Sequence, residues 1–156
     1  TVAFFAAFIT IITALALIYF SRWNQFKQIN FFKRIGTIGY VIPGAIIGIG
    51  IIKSSQWIIT FFSSNFNLNV GYIFYGSSVV LIYAYVFRFL SVTFNPLEAN
   101  SLKTGKHLSE SSYLLGSSKL KTLFRIDLPL IKNAIASSFI LIFIDVLKEL
   151  PLTLIL

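Results

Sequence analysis

VAFFAAFITIITALALIYF, residues 2–20, contains no charged side chain. At 1.5 Å per residue, a helix of about 20 residues crosses a hydrocarbon core of roughly 30 Å, so this stretch has the length of a membrane span. No basic segment precedes it and it exceeds the apolar part of a secretory signal, which sets that reading aside. Outward along the chain, residues 35–52 and residues 70–87 each run 18 positions without a charge. A fourth apolar stretch starts near Ala134 and continues to Leu156, interrupted by Asp145, Lys148 and Glu149. The expected fold is all-α: a polytopic membrane helix bundle of about four spans, the last one irregular.

Composition agrees. The 156 residues are 56% hydrophobic and only 12% charged, with mean hydropathy +0.84. A soluble domain carries about 25% charged residues, so a water-covered globule is excluded and a disordered chain more so. The chain has no Cys, which removes disulfides and thiolate metal sites, and no Met, so it reads as a piece of a longer protein. The net charge is nevertheless +8. Arg22, Lys27, Lys33 and Arg34 lie between the first two spans; Arg88, Lys103, Lys106, Lys119, Lys121, Arg125 and Lys132 lie between the last two. Loops that retain Lys and Arg stay on the cytoplasmic side, so residues 21–34 and 88–133 are expected inside and the N-terminus outside. The basic residues thus mark topology, and no nucleic-acid partner is expected.

Inside the spans, Gly44 and Gly48 form a small-xxx-small pair that admits a close helix neighbour, and Pro43 is expected to kink the second span. Helix packing is the simpler role for Pro43, Gly44 and Gly48; a direct substrate role is the other. Trp57-Ile58-Ile59-Thr60-Phe61-Phe62 is too short to span and reads as an interfacial anchor within a Ser/Asn-rich connector. Tyr75, Ser78, Ile82 and Tyr85 share a helix face that either lines a polar pathway or contributes to interfacial aromatic belts. Asp145, Lys148 and Glu149 fall at i, i+3 and i+4, so all three can share one face, with Lys148 neutralising one carboxylate. Pro151 breaks the helix just beyond. These residues either face a pathway or gate inside the membrane, or sit at its outer interface.

Residues 88–133 are expected to carry helices of their own. Asn95-Pro96-Leu97-Glu98 reads as a helix start and Gly105 as its end. Ser109 reads as the cap of a short helix stopping at Gly116, and Ser117 or Ser118 as the start of another bearing Leu120, Leu123 and Phe124. Pro129 leads into the fourth span. A capped helix–Gly–helix between two spans reads as a docking element for a soluble partner.

This loop resembles a known family. Glu110-Ser111-Ser112, Gly116, Ile126, Leu128 and Pro129 keep every spacing of the Glu-Ala-Ala loop of binding-protein-dependent ABC importer permeases, with Ser-Ser in place of Ala-Ala. Gly39-Tyr40-Val41-Ile42-Pro43-Gly44 resembles the Gly-Tyr-x-x-Pro-Gly segment of the ferric-iron branch. The stretch from Asp145 to Leu156 is similar to that branch's Asp-x-x-Lys-Glu-Leu-Pro-x-Thr-Leu segment, found in the second half of permeases built from two fused halves. The resemblance implies a type 1 permease domain over residues 1–156, incomplete at its C-terminal end. It implies multi-pass residence in the bacterial inner (plasma) membrane and a coupling role for the loop at residues 88–133. The implied partners are ATP-binding cassette ATPase subunits, a periplasmic or extracellular substrate-binding protein and a second permease half, fused or separate, alongside the lipid membrane.

The chain is expected to be a transport component, not an enzyme. It has no phosphate-binding G-x-x-x-x-G-K-[ST] loop, so ATP hydrolysis belongs to another subunit, and no cofactor or metal is expected on it. Ferric iron is the first-choice substrate; polyamines, thiamine and phosphonates are carried by relatives with the same loop. A membrane-embedded metal-dependent enzyme would need clustered carboxylates, which five acidic residues in this arrangement do not supply. An ion-coupled secondary transporter would use an intramembrane acid such as Asp145, yet has no need of the Glu110–Pro129 spacing.

Overall fold

The computed structural model describes residues 1–23, 39–66, 71, 78–103 and 107–156, and shows helices and no strand among them. The long helices are α1 (Val2–Trp23), α2 (Gly44–Phe66) and α3 (Ser78–Lys103). Two short pieces follow, α4 (His107–Leu114) and α5 (Lys119–Leu130). Then come α6 (Lys132–Lys148) and α7 (Leu150–Ile155). By length and composition α1, α2 and α3 can each cross a membrane, and α5 with α6, bent by 70° between them, adds a fourth span if taken as one. The molecule is an all-α polytopic bundle of a multi-pass membrane protein.

The apolar run of α1 divides by size. Ala3, Ala6, Ala7, Thr10 and Ala14 are buried, whereas Phe4, Phe5, Phe8 and Ile12 face outward. Small side chains let backbones approach closely, and large ones meet lipid at no cost, so the pattern inverts that of a soluble helix. The Thr10 hydroxyl donates to the Ala6 carbonyl at 2.6 Å, which keeps a buried polar group satisfied. The early part of α1 meets Ala84, Tyr85 and Phe89 of α3 and Ile142 and Val146 of α6. Its later part, at Ala14 and Ile18, meets Phe94, Leu97 and Ala134. Hence α1 and α3 run parallel, and α6 runs antiparallel to both.

Several boundaries differ from the sequence reading. The second apolar helix begins at Gly44, not near residue 35, and runs through Trp57–Phe62 to Phe66, so no interfacial connector starts at Lys53. Pro43 does not kink this helix. Its carbonyl accepts from Ile46 N at 3.0 Å, which makes Pro43 the capping position, where a missing N–H is harmless. The Ser/Thr/Asn content that read as connector folds back on the helix: Ser55 Oγ donates to the Ile51 carbonyl at 2.7 Å, Thr60 to Gln56 at 2.9 Å and Asn65 to Phe61 at 2.9 Å.

The third helix likewise does not stop at Phe87. It continues through Arg88, Asn95 and Pro96 to Lys103, so Asn95-Pro96 is helix interior and not a new start. The burial of Ser91, Thr93, Phe94 and Leu97 explains why the helix survives a proline. Arg88 is therefore a residue of the bundle and not of the loop. The expected helix end at Gly105 lies outside the described residues, as do Tyr75, Lys27, Lys33, Arg34 and Lys106. Of the proposed tyrosine face, Tyr85 is buried against the core.

Candidate functional site

Two constructions stand out, one within the bundle and one at the end of α3. The first is a junction between a turn and a helix break. The chain turns at residues 39–42 before α2, and α6 stops at Lys148 before α7 resumes at Leu150, with Glu149 between them at φ −83, ψ 87. Irregular backbone inside a helix bundle needs protein groups to satisfy its polar atoms. Here Arg88 of α3 does so: its Nη1 donates to the Ile42 carbonyl at 2.6 Å, and its Nη2 pairs with Glu149 Oε2 at 3.2 Å. Both side chains are largely buried, at 15% and 12% exposure, so the pair is shielded from bulk screening.

Glycines permit this approach. A Cβ on Gly39 would strike the Phe87 carbonyl, one on Gly44 would strike Glu149 Oε1, and one on Gly48 would stand 2.9 Å from Ile155 Cγ2. Thus the Gly-Tyr-Val-Ile-Pro-Gly segment and the Glu149–Pro151 break meet each other through Arg88. Tyr85 Oη and Thr153 Oγ1, 2.5 Å apart, tie α7 to α3 as well. Pro151 lies in the first turn of α7, where its ring suits a helix start.

Asp145, Lys148 and Glu149 do not form the self-neutralising face expected of i, i+3, i+4 neighbours. Helix α6 ends at Lys148, so Glu149 leaves the helical register, and its cation is Arg88 rather than the exposed Lys148. Asp145 looks into open space beside the pair. One pocket of about 440 Å³ is lined by Tyr40, Ser91, Val92, Asn95, Leu141 and Asp145. An adjoining one of about 320 Å³ shares Tyr40 and Asp145 and adds Arg88, Phe89, Lys148 and Glu149. No group of three or more His, Cys, Asp or Glu residues able to hold a metal occurs among the described residues.

The second construction is the hairpin of α4 and α5. Helix α4 starts at His107, so Ser109 is an interior residue and not the expected cap; its Oγ donates to Asp127 Oδ1 at 2.7 Å in a buried contact. Ser112 and Thr122 share a hydrogen bond at 2.9 Å, also buried. Gly116 ends α4 at φ 81, with its N–H donating to the Tyr113 carbonyl at 2.9 Å and that of Ser117 to Ser112 at 3.0 Å, a paired C-terminal cap. Ser118 caps α5, its hydroxyl accepting from Lys121 N at 3.4 Å.

A π-helical turn over Leu123–Asp127 follows, and it carries Ile126 and swings Asp127 inward. Leu128 and Pro129 close α5 ahead of the bend. Glu110 and Ser111 stay exposed, Glu110 lying 3.8 Å from His107 Nδ1 and Ser111 donating to the His107 carbonyl at 2.8 Å. Thus of the two serines, Ser112 holds the hairpin together and Ser111 faces out. Large apolar side chains are exposed beside them: Leu114 at 90%, Leu115 at 86%, Leu120 and Phe124.

Sequence reasoning missed Arg88, whose charge was counted with the loop. The signal that could have found it is a lone cation within a helix-long apolar stretch, which requires an acidic partner elsewhere in the bundle.

No family model matches the chain. It is 27% identical over 120 residues to a Haemophilus influenzae protein named as a ferric transport system permease. It is 32% identical over 119 residues to a transport system permease protein, NifC, of Clostridium pasteurianum. A ferric transport system permease protein of Actinobacillus pleuropneumoniae matches at 25% over 120 residues. Each match covers 75% of this chain but only 19%, 40% and 17% of the respective relatives, so the chain spans well under half the length of the proteins it matches. Across three quarters of its own length, this chain is similar to permease proteins of transport systems.

Proposed function

We propose that this chain is the membrane-spanning permease part of an ATP-driven, binding-protein-dependent importer in a bacterial inner membrane, with ferric iron as its substrate. The observation that carries this reading is the Glu110–Pro129 pattern set in a compact helical hairpin next to the bundle. Its exposed surface bears Glu110, Leu114, Leu115, Leu120 and Phe124, a mixture suited to docking on a soluble subunit. ATPase subunits would engage this hairpin from the cytoplasm, and their closure would be transmitted through the 70° bend into α6. Asp145, Lys148, Glu149 and Pro151, beside the polar pockets, would serve as the pathway or its gate. A substrate-binding protein would deliver iron on the outer face, and a second permease half would complete the pathway. Iron rests on the names of two relatives and on the two branch-level segments.

The test is uptake of labelled ferric iron into vesicles holding the complete transporter. Gly116→Asp should abolish ATP-driven uptake while the protein still inserts; retained uptake would overturn the coupling role. A second reading, an ion-coupled transporter, draws on Asp145 beside its pockets. Collapse of the proton gradient with ATP maintained should spare uptake, and an immediate loss would favour that second reading.

A further inference from the structure

Arg88 joins the turn before α2 to the break before α7, and part of the hydrogen-bonding capacity there has no partner among the described residues. Arg88 Nε and Glu149 Oε1 are both buried and have no hydrogen-bond partner among the described residues. A buried donor and a buried acceptor left unmet raise the free energy of this arrangement relative to one that meets them. A second carboxylate is at hand, because Asp145 lines the same pocket of about 320 Å³ as Arg88 and Glu149. Helix α7, which Glu149 introduces, follows a break, buries Leu152 in the core, meets α2 where Gly44 and Gly48 make room, and meets α3 through Tyr85 and Thr153.

We propose that Arg88 is a positioning residue with two partners. Paired with Glu149, it holds α7 against the start of α2; when α7 parts from α2, the guanidinium passes to Asp145. Arginine suits this role because its planar fork grips a carbonyl and a carboxylate at once, whereas a lysine ammonium offers one point of charge. The cations and acids facing the exchange are Arg88, Lys148, Asp145 and Glu149, balanced in charge, so a transfer between carboxylates leaves the pocket's net charge unchanged. The proposal rests on the transport reading above and adds to it the residue that links the two states.

A cysteine pair tests it. A Cβ on Gly48 would lie 3.3 Å from Ile155 Cβ, close to the separation of about 3.8 Å usual in disulfides, and this chain contributes no other cysteine. Gly48→Cys with Ile155→Cys in the complete transporter should cross-link in high yield at rest and severalfold less during ATP turnover, and the locked form should carry no iron. Adding Asp145→Asn should keep the resting yield and remove the drop on turnover. Arg88→Glu or Glu149→Arg alone should lower the resting yield, and the two together should restore part of it, since the ion pair re-forms while the Ile42 carbonyl loses its donor; a merely space-filling arginine would give no such rescue. A yield unchanged by turnover, with the locked form still importing, would overturn the parting of α7 and leave the importer reading standing. A drop that persists with Asp145→Asn would overturn the exchange of partners. Absence of ATP-driven uptake in the unmodified protein would sink the importer reading and this proposal with it.

Discussion

At the scale of single residues, the glycines separate into those that make room and those that do not. At Gly44 an added methyl would meet Glu149 Oε1 and would also lie 3.3 Å from Arg88 Cζ, so the ion pair must move to admit it. Gly44→Ala should therefore destabilise by roughly 1–3 kcal/mol, the usual cost of overfilling a packed contact. Gly50 lies in the same helix with nothing within 4 Å of its missing Cβ. Gly50→Ala should be neutral or stabilising by up to about 1 kcal/mol, because it removes only glycine's helix penalty. Thermal unfolding of the two variants in the same detergent distinguishes them; equal losses would contradict the contacts at Gly44. Gly116 belongs to a third kind, open in space but fixed at φ 81. Gly116→Ala should cost about 1–2 kcal/mol of hairpin stability through backbone strain, and Gly116→Asn noticeably less.

At the scale of elements, the same sequence signals proved sound about existence and unreliable about ends. Apolar runs located the long helices because an unbroken apolar stretch of about 20 residues satisfies its own backbone in lipid only as a helix, barrel strands being about half as long and alternating. They did not locate the boundaries, because proline means opposite things in different surroundings. Pro43 caps a helix whose preceding carbonyl, that of Ile42, is taken up by Arg88. Pro96 sits inside a helix that buried neighbours hold on both sides. Arg88 is far from Pro43 in sequence, and Phe94 and Leu97 beside Pro96 are buried against Ala14, Ile18 and Ala134, so local propensity could not choose. The hairpin was more legible, since Gly116 and Ser118 act on backbone groups within three residues of themselves; Ser109 was misread because its partner, Asp127, lies 18 positions on. That buried bond carries a prediction. Asp127→Ala should loosen the hairpin by about 1.5–3 kcal/mol, read as faster proteolysis between α4 and α5. Ser109→Ala added to Asp127→Ala should then cost much less than Ser109→Ala alone, since its partner is already gone.

At the scale of the whole molecule, the bundle offers two kinds of hollow, and their chemistry predicts which one holds water. The groove between α1 and α6, about 410 Å³, is lined by Phe8, Ile11, Ile135, Ala136, Phe139 and Ile140, with Lys132 at one end. Apolar walls of this kind suit lipid chains, and nothing along most of its length repays the entry of water. The hollow beside α3 and α6 is lined instead by Tyr40, Ser91, Asn95 and Asp145. A carboxylate in hydrocarbon costs about 2.5–3.5 kcal/mol on insertion scales, so Asp145, in a hollow lined by Tyr40, Ser91 and Asn95, is better served by hydration than by a dry cavity. The exposed Asn95, on the wall of that hollow, and the half-buried Phe139 of the groove are therefore a matched pair of probe positions, in a chain without cysteines of its own. In membrane vesicles, Asn95→Cys should react with a charged, water-soluble thiol reagent within minutes. Phe139→Cys should resist that reagent and yield only to a membrane-permeant one. If both positions resisted the charged reagent, the hollow around Asp145 would be dry, and its acid would need a protein partner in place of water. If both reacted, the α1–α6 groove would be open to water, and α1 would not be the lipid-facing helix that its outward phenylalanines indicate.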